Sequence, residues 1–391
     1  MYHQEPVDEE DTRMSSTLRT AVVGVRGIGG RHVQTVAAHP RAELVAVADL
    51  DVEAGRVAAE PHRARAWETL GQLLERESEL DAVILATPHH LHAPMSLAAL
   101  ERGLHVYVEK PIATRISDAD RVVEAASRAG RVLAVGHQYR TYPGNVRLKQ
   151  IVDTELGDVQ RIVWQWLEAR PETYYARDRW RCTWSHAGGG VLLNQASHDI
   201  DLLCWLFGAP AEVTAVVGNR GHTHEVEDTA IATVRFASGA IASLQFSTWA
   251  RRLSYRQIDG DAGAVVWQDD LNANVPGAPE IFRLGRYDRP LRQLIPDSAA
   301  ALSAQPTLDW EDVDCPTGDS PTLFDSFVGA ALDGTIPITD GVSARTTTEL
   351  ICGILLAGLR RQAIAFPVDR AAFDELMDEL IAGTLQIPRL Q

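Results

Sequence analysis

From residue 18 onward, short apolar runs alternate with stretches of helical period. Strand-like runs fall at 20–24, 44–49, 82–86, 104–110 and 132–136, and helical stretches at 30–38, 52–60, 93–102 and 118–129. Strands bury side chains with period two and helices with period 3.6, so this switching marks successive βαβ units. Ala82-Val83-Ile84-Leu85 is apolar throughout, as expected of a parallel strand covered on both faces. The pattern predicts an α/β fold whose N-terminal part, residues 18–138, is a doubly wound parallel sheet.

Beyond residue 139 the rhythm changes. Longer runs at 160–167, 212–217, 228–236, 240–248 and 254–259 show alternating or aromatic faces, several of them with no helix between neighbours. That arrangement predicts a large mixed or antiparallel sheet in a second, α+β domain, residues 139–391. Loops are expected at 272–279 and 296–304, and helices at 322–332, 342–361 and 371–382. Residues 1–17 are polar and acidic up to Met14 and read as a disordered leader.

Composition narrows the partners. The chain has 391 residues, 45% hydrophobic and 23% charged, enough for two cores. A formal net charge of −16 disfavours nucleic acid and anionic membrane, leaving a small molecule as the expected ligand. No apolar run reads as a membrane span and the N-terminus lacks a signal-peptide pattern, so a cytoplasmic location is expected. Cys182, Cys204, Cys315 and Cys352 are widely spaced and form no metal or redox pair.

The first strand runs into Gly24-Val25-Arg26-Gly27-Ile28-Gly29-Gly30-Arg31-His32. A glycine turn between strand and helix lets backbone amides and a helix N-terminus hold a pyrophosphate. Gly24 and Gly29 fill the outer positions of G-x-G-x-x-G, but Arg26 occupies the middle one, and Gly27 and Gly30 offer a shifted path. Asp49, about 20 residues on, suits the adenosine ribose hydroxyls. Asp49 and Asp51 would repel a 2′-phosphate, so NAD is expected over NADP. A tight turn without ligand and a helix-capping Asp49 are the plainer alternatives.

Two further segments carry candidate chemistry. The run 104–108 ends on Glu109-Lys110-Pro111, placing Lys110 at the carboxyl end of a parallel strand, where ligands collect. Gly188-Gly189-Gly190 leads into a helix on which Asn194, His198 and Asp201 share one stripe. Removing a hydride from an alcohol carbon requires that the hydroxyl proton leave. A histidine can take it, and an adjacent ammonium stabilises the developing alkoxide. The alternatives are a surface lysine and a core histidine capped by Asp201.

Together these motifs resemble the Gfo/Idh/MocA oxidoreductases, NAD(P)-dependent enzymes acting mainly on sugars, inositols and their derivatives. The likeness rests on the glycine loop with His32, Thr87-Pro88 with His92, Glu109-Lys110-Pro111, and the segment 188–201, and continues through Phe324-Asp325-Ser326-Phe327, Ile336-Pro337 and Asp340-Gly341. It implies a Rossmann domain in which Gly24, Arg26, Gly27, Ile28, Gly29, Asp49, Thr87, Pro88, His92, Glu109 and Lys110 line the cofactor. It implies Lys110 and His198 as catalytic residues, with Asn194 where many members carry aspartate. His198 is then expected as base, Lys110 as hydroxyl-positioning acid and Asn194 as a neutral hydrogen-bonding group. The resemblance also implies a homodimer or homotetramer joined through the second domain's sheet.

Substrate contacts are expected from Gln138, Tyr139 and Arg140 at the domain junction, from Trp166, and from Tyr175 in the aromatic and arginine-rich segment 170–184, besides Lys110, Asn194 and His198. That segment also holds Tyr174, Arg177, Arg179, Trp180 and Trp184, and Trp164 shares the strand of Trp166. His89, His90 and His92 lack companion carboxylates or cysteines, so no metal is expected. The leading reading is an NAD-dependent dehydrogenase of a sugar, glycoside or inositol hydroxyl. A glycoside 3-oxidising enzyme with tightly bound, recycled NAD and a non-enzymatic sensor on the same fold are the alternatives.

Overall fold

The computed structural model describes residues 17–269, 280–294, 306–314 and 321–390. The loops expected at 272–279 and 296–304, Cys315 and all but the last residue of the expected leader lie outside them.

The N-terminal sheet is built from β1 (Leu18–Val23), β2 (Ala42–Ala48), β3 (Arg65–Trp67), β4 (Ala82–Leu85), β5 (His105–Val108) and β6 (Leu133–Val135), in the order β3-β2-β1-β4-β5-β6. Every pairing is parallel. Strand order reverses between β1 and β4, so the chain leaves β1 at a crevice between oppositely wound halves. The apolar runs are buried as their composition requires, with Val83, Ile84 and Leu85 at 0% exposure. Each such side chain contributes about 1.5–3 kcal/mol of burial. β3 and the following helix Leu70–Arg76 escape the sequence pattern because both are short.

The second sheet has nine strands: β7 (Val159–Leu167), β8 (Pro210–Gly218), β9 (Thr229–Phe236), β10 (Ile241–Ser247), β11 (Leu253–Gly260), β12 (Gly263–Asp269), β13 (Glu280–Tyr287), β14 (Leu308–Asp312) and β15 (Ile364–Ala365). Their order is β14-β13-β12-β11-β7-β10-β9-β8-β15. Among the described residues only β10 and β7 run parallel, so the sheet is mixed. In β9, Ala230, Ala232, Val234 and Phe236 are buried, whereas Ile231 remains 49% exposed. Helix Gly341–Arg360 packs on the covered side against β8 and against helix Ser197–Phe207.

Two expectations need correction. Helix Gly341–Arg360 is long and apolar enough to cross a membrane, contrary to the sequence reading, but 67% of that stretch is buried inside the protein. The C-terminal region also does not belong wholly to the second domain. Leu323, Phe324, Phe327 and Val328 of helix Leu323–Asp333 pack with Val22, Ile84 and Tyr107 of the first sheet. Thr339 then donates from Oγ1 to the Val135 carbonyl at 2.6 Å. The chain thus returns to clasp the first sheet, tying the two halves together.

Candidate active site

The glycine turn follows β1 at the crevice. Gly24 has φ +81°, and a Cβ there would stand 2.6 Å from the Ala86 carbonyl oxygen beyond β4. A Cβ on Gly29 would overlap the Gly24 carbonyl, whereas Gly27, at φ +57°, faces open space. Gly24 and Gly29 therefore make the turn tight, and Gly27 leaves room above it. Helix Ile28–Ala38 begins there with no side-chain cap and no acid in its first turn. Its free amides and positive dipole end suit a phosphate.

Asp49 joins the strand ends to this turn. Its Oδ2 accepts from Val25 N at 2.9 Å and Oδ1 from Asp51 N at 2.9 Å. Asp51 accepts from Ala54 N at 3.1 Å, capping the next helix. Arg26 is exposed and lies over both acids, Nη2 3.9 Å from Asp49 and Nη1 3.7 Å from Asp51. Leu50 stands beside them 74% exposed, an apolar surface for a flat base. The turn, the uncapped helix and the carboxylate fit a dinucleotide.

The turns after β4 and β5 are stapled from behind. His92 was expected at the cofactor, but it is fully buried, with Nε2 2.7 Å from the Thr87 carbonyl and Nδ1 2.6 Å from that of Pro111. Both partners are acceptors, favouring a doubly protonated ring, while burial opposes the charge and lowers its pKa. His92 thus ties the main chain of Thr87 to that of Pro111, the residue after Lys110, from beneath. Glu109 is likewise turned inward: Oε1 meets His32 Nε2 at 2.7 Å, and Oε2 accepts from Lys110 N at 3.3 Å. Burial would raise its pKa, but His32 and Lys110 outweigh that and hold it below the ordinary value.

At the crest of β5, Lys110 donates from Nζ to the main-chain oxygen of Asn194 at 2.6 Å. Burial lowers its pKa to about 8; Glu109 resists this and Arg181 adds to it. Asn194 lies in a π-helical turn, Val191–Gln195, and is 3% exposed. Its Oδ1 accepts from Arg181 Nη1 at 3.2 Å, and its Nδ2 has no partner among the described residues. His198, in helix Ser197–Phe207, stacks on Tyr139 with ring centroids 4.6 Å apart and meets His137 edge-on at 5.7 Å. Its Nδ1 is also unpartnered. Burial, then Lys110 and His137, push its pKa well down, so the imidazole is neutral.

The expected stripe of Asn194, His198 and Asp201 is broken by the change in winding. Asp201 faces away, accepting from Arg140 Nη2 at 2.6 Å and Nε at 2.8 Å and from Thr347 Oγ1 at 3.0 Å. Arg140 is thereby corrected from a substrate contact to a buried structural cation, which also donates to the Ile338 carbonyl and Ser343 Oγ. Tyr175 and Trp166 are corrected too. Tyr175 is buried and donates its hydroxyl to Thr248 Oγ1 at 3.2 Å, and Trp166 is 9% exposed within the core. Gln138 and Tyr139 stay half-buried, and Tyr139 stacks on His198.

Sequence reasoning missed three groups. Arg181 stands among the arginines of 170–184, and its i+2 spacing from Arg179 was the available signal. His137 precedes the half-buried Gln138 and Tyr139. Glu227, just ahead of β9, accepts from Gly190 N at 2.7 Å and Leu192 N at 3.0 Å, while its own carbonyl accepts from Val191 N at 2.8 Å. The glycine run is thus anchored by one buried acid, whose pKa burial pushes up to about 7 against those two amides. The three expected non-ligand histidines diverge: His89 meets the Ala187 carbonyl, His90 packs on His186, and His92 turns inward. Among the described residues no group of His, Cys, Asp or Glu is arranged to hold a metal.

Nicotinamide chemistry is what a dinucleotide turn opposite a tuned lysine and a neutral histidine can serve, and the class so defined is the NAD-binding oxidoreductases. Residues 18–137 match the oxidoreductase family NAD-binding Rossmann fold, and residues 146–266 the GFO/IDH/MocA C-terminal domain. The chain belongs to the GFO/IDH/MocA family. It is 29% identical over 270 residues to 1,5-anhydro-D-fructose reductase of Ensifer adhaerens, spanning 67% of this chain and 76% of that protein. It is 30% identical over 234 residues to 1-carboxy-3-chloro-3,4-dihydroxycyclohexa-1,5-diene dehydrogenase of Comamonas testosteroni, spanning 60% of this chain and 58% of that one. The WlbA dehydrogenase from Bordetella pertussis, solved with NADH and UDP-GlcNAcA, is 28% identical with a TM-score of 0.74, covering 90% of this chain and all 100% of that one. The protein is an NAD-binding dehydrogenase.

Proposed function

We propose that this enzyme oxidises a secondary hydroxyl of a sugar, sugar derivative or cyclitol, reversibly, with Lys110 and His198 handling the hydroxyl proton. The observation that carries the reading is Lys110: a desolvated amine with pKa about 8, hydrogen-bonded to the turn that leads into the His198 helix. When bound, NAD supplies the hydride acceptor. Gly24, Gly27, Ile28 and Gly29 hold its phosphates, Asp49 its ribose, and Thr87 and Pro88 its reactive half.

An effective base has a pKa near the working pH. Lys110 meets that condition and His198 does not, which reverses the division of labour expected from the sequence. Neutral Lys110 accepts the hydroxyl proton, and neutral His198 orients the same hydroxyl by a hydrogen bond. Asn194, as an amide, relays no proton but holds Lys110 on its main-chain oxygen and Arg181 on its side-chain oxygen. The uncovered face of the nine-stranded sheet, with Val216, Ile231, Ile241 and Ile281 exposed, is where a second copy would dock.

The test is NADH formation with a panel of aldoses, uronates, glycosides, nucleotide sugars and inositols. Turnover with at least one hydroxyl compound, abolished in Lys110→Met, supports the reading. Complete absence of turnover, with sugar-dependent association to another protein, would instead establish a sensor.

A further inference from the structure

His222 is buried with an acceptor at each of its ring nitrogens. Nδ1 lies 3.2 Å from Asp228 Oδ2 and Nε2 2.7 Å from the Arg170 carbonyl, and the side chain is wholly inaccessible. A carbonyl only accepts, so Nε2 carries a proton. Asp228 also accepts from the Arg220, Gly221 and His222 amides and from Thr229 Oγ1, which leaves no place for a proton on the carboxyl, so Nδ1 carries one too. The ring is an imidazolium. Tyr175 and Trp249 meet it edge-on, and His224 stacks on it at 4.8 Å with its own pKa lowered by burial and by that cation. Arg389 donates to the His222 carbonyl. Burial alone would lower the His222 pKa, but Asp228, the Arg170 carbonyl and Glu172 outweigh it and hold it above the ordinary 6.5.

The segment 170–184 hangs on this cation and its neighbours. At one end His222 holds the Arg170 carbonyl and Thr223 N donates to Glu172 Oε1 at 3.4 Å; at the other, Glu225 N donates to the Cys182 carbonyl at 3.3 Å and Trp184 Nε1 to that of Glu225 at 3.0 Å. Between these ends the segment touches the candidate active site. Tyr174 Oη accepts from Gln195 Nε2 at 2.8 Å, Arg170 Nε donates to Gln195 Oε1 at 3.2 Å, and Arg181 Nη1 donates to Asn194 Oδ1 at 3.2 Å, the residue whose main-chain oxygen holds Lys110. We infer that His222 is a positioning residue and a pH-dependent latch, whose imidazolium fastens the segment 170–184 against the Asn194 turn and whose deprotonation releases the Arg170 end. A neutral ring has one N–H, so a lone pair must face either the carboxylate or the carbonyl, and one contact opens. Asp228 is only six residues away and is pinned by three amides, so the Arg170 side yields. Arg170 N stays on the Thr248 carbonyl, and the loosening begins beyond it. Because the folded pKa is raised, the fastening is complete below the ordinary 6.5 and is lost as pH rises through the raised value. The consequence for substrate rests on the proposed hydroxyl oxidation; the latch itself does not.

The experiment is hydrogen–deuterium exchange of the full chain, free and NADH-loaded, read as protection factors at about pH 6 and about pH 9, either side of the imidazole range. Protection of the amides in 172–182 should fall by about 10- to 100-fold at the higher pH, the scale of a lost charge-assisted hydrogen bond, with helix Gly341–Arg360 unchanged. His222→Gln, neutral at every pH, should show the low protection at both. Asp228→Asn, which removes the counter-charge, should move the midpoint of the fall to lower pH. For a compound that is turned over, KM should rise across this range in the wild type and stay flat in His222→Gln, while kcat keeps the rise assigned to Lys110. Equal protection at the two pH values in the wild-type chain, a result that needs no variant to fold, overturns the inference, as does an identical fall in His222→Gln. Unchanged protection beside turnover of a hydroxyl compound leaves the oxidation standing and removes the latch. Lost protection with no hydroxyl compound turned over leaves the latch standing and removes the proposed reaction.

Discussion

Lys110 Nζ and the Asn194 main-chain oxygen, 84 residues apart in sequence, meet at 2.6 Å, tying an amine of the first domain to the turn that begins the second domain's histidine helix. The bond fixes where the amine stands, and burial decides its charge. With a pKa of about 8, Lys110 is mostly protonated at neutral pH and loses its proton as pH rises further. Oxidation, which needs the neutral amine, should therefore accelerate through about pH 8, and the reverse reduction should slow over the same range. Initial rates in both directions across this range check it. A flat profile with chemistry rate-limiting counts against Lys110 as the base.

Lys110→Met and His198→Ala should each lower kcat by about 10²–10⁴-fold, the usual scale for a lost acid or base. NADH binding, measured by fluorescence, should change by less than about tenfold, because Lys110 and His198 act at the hydroxyl and the dinucleotide turn is separate. Near-wild-type turnover in either variant sinks the assignment.

Asp49 accepts two main-chain amides and still has lone pairs for ribose hydroxyls. Asp49→Ala should weaken NADH by about tenfold or more, since both a loop anchor and a charged acceptor are lost. It should also narrow the preference over NADPH, because one of the two carboxylates facing a 2′-phosphate is gone while Arg26 remains. Competitive titration of the two cofactors measures this; an unchanged ratio refutes it.

Much of this was legible in the sequence where local pattern and burial coincide. The apolar strands, the glycine turn and Lys110 at the crest of β5 all follow from period and position. What was not legible depends on partners distant in sequence. Arg140 lies 61 residues from Asp201, and nothing local shows that their charges cancel. Tyr175 and Trp166 have side chains suited to a sugar ring, but packing buries them in the second domain. The stripe of Asn194, His198 and Asp201 presumed uniform helix, whereas the π turn at Val191–Gln195 changes the winding before His198.

Glu227 shows how pH reaches the site indirectly. Its folded pKa of about 7 stands above the ordinary carboxylate value of 4.5, so the folded state holds the proton more tightly. Its contribution to stability is full below about pH 4.5 and is lost as pH rises through about 7. Glu227→Gln removes that titration, so the difference in Tm between pH 5 and pH 8 (about the two ends of this window) should narrow. Kinetically, Gln can accept only one of the Gly190 and Leu192 amides, and kcat should fall more than NADH affinity as Asn194 loses its support. Identical pH dependence of Tm in the two proteins would falsify the titration.

The Arg140 and Asp201 pair is the sharpest test of how the halves are held together. Both side chains are nearly inaccessible, at 4% and 0% exposure, and the guanidinium also donates to Ile338 and Ser343, the segment that returns toward the first sheet. Removing one partner leaves a buried charge uncompensated, which costs about 3–5 kcal/mol. Arg140→Met and Asp201→Leu should each lose that much in denaturant unfolding. Combining them removes both charges, so the double variant should recover part of the loss. A structural pair has a further signature: activity per folded molecule should fall less in Arg140→Met than in Lys110→Met, and the KM for substrate should move little. If instead Arg140→Met raises KM by about 100-fold with stability intact, Arg140 contacts substrate after all, and the burial argument fails.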